Sequence, residues 1–200
     1  MFSKITKFIS PDDLEKLKSI RSSIIPFTIV NNSIWFLVGV DKNTGEITDL
    51  GGGVKKNENN LIAGYREFNE ETKGIFGCIS DINLNKTVAL IDYKYKKVNE
   101  EKTYQMSTLF IPIDNSYTIN TKNFSTIIAS EKHKNEIEEL LWIKDSEFEQ
   151  LLQNKHLKYV LWQRIRSFYK NINFIDLVGK LKYKYNRKKI FLNFQSYKYR

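Results

Sequence analysis

Residues 51–75 read GGGVKKNENNLIAGYREFNEETKGI, a glycine run followed by a segment with helical spacing over residues 60–73. Each residue of a helix advances by about 100°, so Glu67, Glu70 and Glu71 fall within an arc of roughly 100°. Like charges three and four residues apart destabilise an isolated helix, so a compensating cation is expected. Mg²⁺ or Mn²⁺ meets that need, because hard cations prefer carboxylate oxygens. A solvated acidic face is the alternative that the carboxylates alone leave open.

Three neighbouring features favour the cation. A glycine-rich turn, Gly51, Gly52 and Gly53, precedes the helix, and glycine backbone can approach a phosphate closely. Glu58 lies near the start of the helix, and Arg66 is placed to pair with neighbouring carboxylates. The competing glycine motifs are absent, since no Gly-Lys-Ser/Thr follows the glycines and the GxGxxG spacing is missing. The stretch therefore predicts a site for a cation and a phosphate.

The same stretch resembles the Nudix box, Gx5Ex7REUxEExGU, in which U is a bulky aliphatic or aromatic residue. Gly52, Glu58 and the run Arg66-Glu67-Phe68-Asn69-Glu70-Glu71 stand at the spacing of that motif. The departure from the motif is at its end, where Thr72-Lys73 precede Gly74 and the closing glycine comes one residue late. It concerns the exit of the helix and leaves the carboxylates in place.

The resemblance implies an α/β/α sandwich around a mixed sheet and hydrolysis of a nucleoside diphosphate linked to another group X. It implies that Glu67 and Glu71 are the principal ligands of Mg²⁺ or Mn²⁺. Glu70 is a further ligand or orients water, Glu58 assists at the metal site, and Arg66 holds the carboxylates in place. The cation would neutralise pyrophosphate oxygens and lower the pKa of a bound water that attacks phosphorus.

A second segment bears on the group X. Lys134-Asn135-Glu136-Ile137, followed by Trp142-Ile143, is similar to a segment downstream of the box in eukaryotic mRNA-decapping Nudix enzymes. The glutamate of that segment lies in a mobile loop facing the metals and is the favoured general base, and Glu136 is the matching position. Decapping enzymes of large cytoplasmic DNA viruses also carry the box with extra flanking segments. The alternative is that Glu136 is ordinary surface charge, like the glutamates that follow it.

Hydrophobic patterning divides the chain into three segments. Residues 1–23 hold a short N-terminal helix after Ser10, residues 24–170 form the Nudix-type domain, and residues 171–200 form a basic, aromatic-rich helical extension. Strands are predicted at Ile25–Val30, Ile34–Val40, Glu46–Leu50, Lys86–Tyr95, Thr103–Ile113 and Leu140–Ile143, with a hairpin turn at Asn31-Asn32-Ser33.

Length and composition describe one soluble domain, since the 200 residues are 41% apolar and 28% charged. The single cysteine, Cys78, excludes a disulfide framework, and two separated histidines argue against a zinc cage. The chain has no apolar run of membrane-spanning length and its start lacks a signal-peptide core, so a cytoplasmic location without a membrane partner is expected.

The basic charge is concentrated at the C-terminal end. Residues 151–200 hold thirteen lysines and arginines against one acid, Asp176, so they carry +12, whereas the first 150 residues carry −3. This asymmetry predicts a polyanionic partner, and capped RNA agrees with it; a compositional bias of the genome is the alternative. Five of these side chains are predicted to bind RNA phosphates from one helix of roughly 20 residues: Lys155, Lys158, Arg164, Arg166 and Lys170.

These features favour a metal-dependent pyrophosphohydrolase that acts on capped RNA, releasing a capped nucleoside diphosphate and RNA with a 5′-monophosphate. The first alternative is a small-molecule enzyme of the same fold, acting on nucleotides, dinucleoside polyphosphates or diphosphoinositol polyphosphates. The second alternative is a non-catalytic RNA-binding module, against which the four glutamates of the box argue. Trp35, Tyr65 and Phe124 are candidates for stacking on a methylated guanine, although core positions are the more common use of such residues.

Overall fold

The computed structural model describes residues 7–9, 19–76, 89–96, 103–113, 121, 124–126, 136–155, 158–163, 165–166 and 173–188. Within them the strands form one mixed sheet, and helices pack against both of its faces. This confirms the α/β fold class predicted from the sequence. The short helix predicted after Ser10 lies outside the described residues. No described helix is both long and apolar enough to cross a membrane.

The strands are β1 (Lys7–Ile9), β2 (Arg21–Val30), β3 (Ser33–Asp41), β4 (Ile47–Thr48), β5 (Leu50–Gly53), β6 (Ala89–Lys96), β7 (Thr103–Pro112) and β8 (Ile137–Lys144). The helices are α1 (Asn60–Glu71), α2 (Asp145–Leu152) and α3 (Phe174–Lys188), with a 3₁₀ turn at Phe124–Thr126. The sheet runs in the order β1-β6-β7-β2-β3-β4, and β5 and β8 pair with β2 and β3.

Strand β2 connects the two parts of the sheet. It pairs in parallel with β7 and antiparallel with β3, and its first four residues lie antiparallel to β5. The strand therefore begins at Arg21, four residues before the predicted start at Ile25. Arg21, Ser22 and Ser23 are polar, but strands on both sides pair with their backbone, so they continue the sheet.

The turn between β2 and β3 is a hairpin turn, as predicted, but it has two residues rather than three, because Ser33 already belongs to β3. Asn31 and Asn32 both have positive φ values, 49° and 61°. Two consecutive left-handed residues match the twist of the flanking strands, and asparagine tolerates this backbone better than most residues. This turn fixes the register that pairs Phe27 with Phe36.

Two apolar cores lie on opposite faces of the sheet because successive side chains of a strand alternate in direction. Residues such as Ile25 and Phe36 pack with α2 and α3, whereas Ile24 and Leu37 pack with α1. Leu177 and Leu181 of α3 are fully buried in the first core, so this helix shares its core with the sheet. The three-segment division of the chain stays a prediction.

The single long helix predicted around Leu157–Phe168 is wrong in the described residues. Leu161 instead forms a parallel bridge with Ile47, and the Trp162 N–H donates to the Ile47 carbonyl at 2.9 Å. Helical backbone among the described residues of this stretch is confined to 163 and 165–166. Helix α2, which ends at Leu152 before this stretch, was not predicted. Leu161 has helical spacing with its neighbours, but its burial against the sheet edge determines its structure.

Candidate active site

Helix α1 is set between two local signals. The Asn59 side chain accepts the Ile62 N–H at 2.9 Å and caps the start of the helix. Past its end, Lys73 and Gly74 both have positive φ values, 54° and 71°. Lys73 occupies the position of the closing glycine of the box and adopts the left-handed backbone that glycine favours. The buried Lys73 ammonium lies 4.3 Å from the Phe124 ring, a contact that holds the lysine in place.

The acidic face of α1 is buried. Glu67 and Glu71 are 3% and 5% exposed, so the alternative of a solvated acidic face does not hold for these two carboxylates. One oxygen of Glu71, Oε2, accepts the Gly51 N–H at 2.7 Å. Buried carboxylates are retained only where donors or cations compensate for lost hydration. The helix therefore presents two desolvated carboxylates to the glycine strand.

Gly52 packs directly against the carboxylate of Glu67. A Cβ atom at this position would overlap the carboxylate carbon and both oxygens of Glu67. The glycines lie in strand β5 rather than in the turn predicted from the sequence, and Gly52 pairs with Ser22. Glycine is needed here because helix and strand approach closely, and the role of the three glycines in phosphate approach stays a prediction.

Arg66 joins three of the carboxylates, as predicted. Its Nε and Nη2 atoms donate to the two oxygens of Glu58 at 2.6 and 2.9 Å. Its Nη1 atom donates to Glu67 at 2.6 Å and approaches Glu70 at 3.4 Å. Nη2 also donates to the Gly53 carbonyl at 2.8 Å. The guanidinium therefore fixes the helix carboxylates relative to the end of β5.

The environment shifts the acidities of this cluster in opposite directions. Hydrogen bonds from Arg66 lower the pKa of Glu58, and the same pairing raises the pKa of Arg66. Burial raises the pKa of Glu71 well above its usual range; the Arg21 charge and the Gly51 N–H oppose this, while Asp49 and Glu67 add to it. The donors around Glu71 therefore compensate its ionised form only in part.

Two residues of this region were not predicted from the sequence. Arg21 and Asp49 form a buried ion pair through two hydrogen bonds, Nη1 to Oδ2 at 3.1 Å and Nη2 to Oδ1 at 2.7 Å. Asp49 interrupts the strand predicted at Glu46–Leu50, whereas Arg21 precedes the strand predicted at Ile25–Val30. Charged residues are almost never fully buried unless paired, so a charged residue inside a predicted strand, as at Asp49, is a weak signal of a partner without identifying it.

A cavity of about 130 Å³ opens beside this pair. Its lining includes Arg21, Gly51, Glu71, Glu136 and Trp162. Glu136 immediately precedes β8 and is exposed, and its backbone carbonyl accepts the Lys42 N–H at 2.8 Å. The fold therefore brings Glu136 to the same cavity as Glu71, although 65 residues separate them in sequence.

The residues predicted to bind RNA do not share one helix. Lys155 and Lys158 are both exposed, and neither lies in a helix. Arg166 is half-buried and donates through Nη2 to the Leu161 carbonyl at 2.9 Å. Arg164 and Lys170 lie outside the described residues. Tyr65 and Phe124 are buried in the core on the α1 side, so they do not present a free ring face for a base.

The donor chemistry of the site fits a divalent cation. Four glutamates supply hard oxygen ligands, and the Glu67 carboxylate lies against Gly52, where no side chain intervenes. Among the described residues, no three Asp, Glu, His or Cys side chains are already grouped to hold an ion. The contacts of Arg66 with Glu67 and Glu70 occupy oxygens of two expected ligands. Glu67, Glu70 and Glu71 therefore stay predicted ligands.

The chain is similar in backbone arrangement to several solved structures. A C. elegans Ap4A hydrolase in a binary complex shares 14% identity, with 80% of this chain and 96% of that chain covered and a TM-score of 0.44. The Nudix domain of Shewanella oneidensis NrtR complexed with ADP ribose shares 10% identity, with 84% and 88% covered and a TM-score of 0.47. A Nudix hydrolase from Nitrosomonas europaea shares 12% identity, with 88% and 94% covered and a TM-score of 0.40. At these identities the likeness concerns the fold alone.

The chain matches no protein-family model and no curated protein. Chemistry at the site must therefore be inferred from its own residues.

Replacing Gly52 with alanine tests the close contact with Glu67. The added methyl group displaces the Glu67 carboxylate, so we expect about a tenfold loss of Mn²⁺ affinity, the lower end of the usual effect of disturbing groups that orient metal ligands. Gly179→Ala is the matched control, because among the described residues no group outside the local helix backbone lies within 4 Å of its Cβ position in α3. That variant should keep the Mn²⁺ affinity of the parent and gain about 0.5–1 kcal/mol of stability. Unchanged Mn²⁺ affinity in Gly52→Ala would show that the close contact between Gly52 and Glu67 does not position the carboxylate.

Proposed function

We propose that this protein is a divalent-metal-dependent pyrophosphohydrolase of the Nudix type. The observation that carries the proposal is the pair of buried carboxylates, Glu67 and Glu71, held against the Gly51-Gly52 backbone. Two desolvated carboxylates on one helix face are costly in an apoprotein that does nothing with them. They are explained by a site that binds a cation.

Each residue of the site has a distinct part in the proposed reaction. Glu67, Glu70 and Glu71 would hold the cation, which would supply charge neutralisation at the pyrophosphate oxygens and a lowered pKa for a bound water. Arg66 keeps the helix carboxylates oriented through its contacts with Glu58 and Gly53. Glu136, which lines the same cavity as Glu71, accepts a proton from the water at its carboxylate. Water attacks one phosphorus, the bridging oxygen leaves with the other phosphate, and the anhydride is cleaved.

Capped RNA is the substrate that we propose within this class. Glu136 supports it, because the residue matched to the decapping general base lines the same cavity as Glu71. The +12 charge of residues 151–200 supports a polyanion beyond the cavity. A small phosphorylated molecule, such as a dinucleoside polyphosphate or a diphosphoinositol polyphosphate, is the alternative, because a dense anion also suits that charge. Activity in the cytoplasm is proposed with either substrate.

The deciding experiment compares substrates under identical conditions. Purified protein is incubated with cap-labelled RNA, free nucleotides, dinucleoside polyphosphates and inositol pyrophosphates, each with Mg²⁺, with Mn²⁺ and with chelator. We expect hydrolysis that depends on the cation. Capped RNA should release the cap nucleoside as its diphosphate and leave RNA with a 5′-monophosphate. Turnover of small molecules alone would reassign the substrate. RNA binding without hydrolysis of any substrate would favour a non-catalytic module.

The exposed lysines allow a test of RNA docking separate from chemistry. Substituting Gln for both Lys155 and Lys158 should weaken RNA binding across sequences. The slope of log affinity against log salt should fall by about 1.4, since each phosphate contact to a single strand contributes about 0.7. Hydrolysis of a small nucleotide should not change. Binding measured from 50 to 200 mM salt with an unaltered slope would argue against docking at these lysines.

A further inference from the structure

The buried pair of Arg21 and Asp49 lies beside the glutamate cluster without belonging to the box. Both residues are nearly inaccessible, with Arg21 7% and Asp49 2% exposed. The guanidinium binds the carboxylate with two parallel hydrogen bonds, a geometry that lysine does not reproduce. The pair joins the first residue of β2 to the residue before β5.

Arg21 makes a further contact that leads to Glu71. Its Nη2 atom donates to the Gly51 carbonyl at 2.8 Å. The N–H of the same glycine donates to Glu71 Oε2 at 2.7 Å. Gly51 is thus held at its carbonyl by the arginine while its N–H holds the glutamate. An arginine on β2 and a glutamate on α1 are connected through one residue.

Trp162 covers the guanidinium on another side. The Arg21 guanidinium carbon lies 5.8 Å from the centre of the indole ring, within the range of a cation–π contact. The Trp162 backbone is anchored by its hydrogen bond to Ile47. Arg21 and Trp162 both line the cavity that contains Glu71. The arginine is therefore immobilised at the wall of the site rather than in the middle of a core.

The energetics argue against a purely stabilising purpose. Burying two charges costs about as much hydration free energy as their attraction returns, and replacing such a pair with apolar residues is often neutral. This pair lies at a cavity wall, and its arginine also donates to the Gly51 carbonyl. Its retention is better explained by a role in orienting Gly51. Groups that orient metal ligands typically affect metal affinity by 10- to 100-fold.

We propose that Arg21 is a positioning residue that, braced by Asp49, holds Gly51 so that its N–H fixes the Glu71 carboxylate for cation binding. The inference rests on the proposed function, because it assumes that Glu71 is a ligand. In this role Arg21 acts through Gly51 and Glu71, by the hydrogen bonds that connect the three residues.

The test measures Mn²⁺ binding directly, by electron paramagnetic resonance of free Mn²⁺, alongside kinetics and thermal melting. Arg21→Lys keeps the charge but loses the two-pronged contact, and it should bind Mn²⁺ about tenfold more weakly. The double variant Arg21→Met/Asp49→Leu replaces the pair with apolar groups and should show a similar loss while remaining folded. In both variants kcat at a given subsaturating Mn²⁺ concentration should fall, and added Mn²⁺ should restore much of it, with KM for the substrate little changed.

Lys182→Met is the matched control, since it removes another ion pair, with Asp145 at 3.9 Å, between α2 and α3. It should leave Mn²⁺ affinity unchanged. Variants that melt at lower temperature yet bind Mn²⁺ like the parent would overturn the positioning role and leave the proposed function standing. If the double variant does not fold, Arg21→Lys decides alone. A parent protein that binds no Mn²⁺ would instead overturn the proposed function.

Discussion

Glu71→Gln should reduce turnover by about 10³-fold, since the stabilisation that a metal ion provides amounts to several kcal/mol and each tenfold in rate is about 1.4 kcal/mol. Glutamine has nearly the same shape and still offers an oxygen to the Gly51 N–H, so the fold should survive. What it lacks is the charge that a cation requires. The measurement is single-turnover hydrolysis at saturating Mg²⁺, with Mn²⁺ affinity determined in parallel.

Glu149→Gln is the control for this change, because Glu149 lies on α2, which packs on the other face of the sheet from α1. It should hydrolyse substrate at the parent rate. Undiminished hydrolysis by Glu71→Gln would remove the metal-dependent assignment, whereas equal losses in both variants would point to unfolding rather than chemistry.

We also expect Glu71→Gln to change how the stability of the protein depends on pH. Burial raises the pKa of Glu71 in the folded protein, so the folded state binds this proton more tightly than the unfolded state does. The resulting stability is fully present below the usual glutamate pKa and is lost as pH rises through the higher folded-state value. Glutamine has no such titration. The melting temperature of the parent relative to Glu71→Gln, measured without cation, should therefore fall as pH rises across this window.

Local pattern was sufficient to predict much of the fold and the contacts of Arg66 with its neighbouring carboxylates. The hairpin at Asn31-Asn32 and the α1 segment follow from residue types and spacing within a short window. The box spacing likewise predicted that Arg66 pairs with its neighbouring carboxylates, because those contacts lie within one helix and the turn before it. These are features that a short stretch of chain determines by itself.

Contacts between distant strands could not be predicted in the same way. The partner of Arg21 is 28 residues away and is reached only once β2 pairs with β5. Leu161 lies at helical spacing from its apolar neighbours in sequence. Its bridge with Ile47 depends instead on the pairing of β4 with β3. In both cases the tertiary pairing overrides or supplements the local signal. Burial of Glu67 and Glu71 was likewise invisible in the sequence, where an acidic helix face is ambiguous.

Glu136→Gln is the second substitution with a large expected effect. If Glu136 is the general base, the loss of its carboxylate should lower the single-turnover rate by roughly 10²-fold or more, the usual contribution of a positioned base. Binding of Mn²⁺ and of RNA should persist, since the α1 carboxylates and the basic C-terminal residues are unchanged. The backbone of the residue should also stay in place, because its carbonyl rather than its side chain accepts the Lys42 N–H.

Glu138→Gln distinguishes a base from a general contribution of negative charge at this edge of the sheet. Glu138 is exposed on β8, two residues from Glu136, so both substitutions remove one charge from nearly the same place. Only Glu136 is in the lining of the cavity with Glu71. Rates measured at saturating RNA separate the chemical step from binding, so a base predicts a large loss for Glu136→Gln and a small one for Glu138→Gln. Similar small losses in both would mean that Glu136 is surface charge, and the proposal of capped RNA would then rest on the basic C-terminal residues alone.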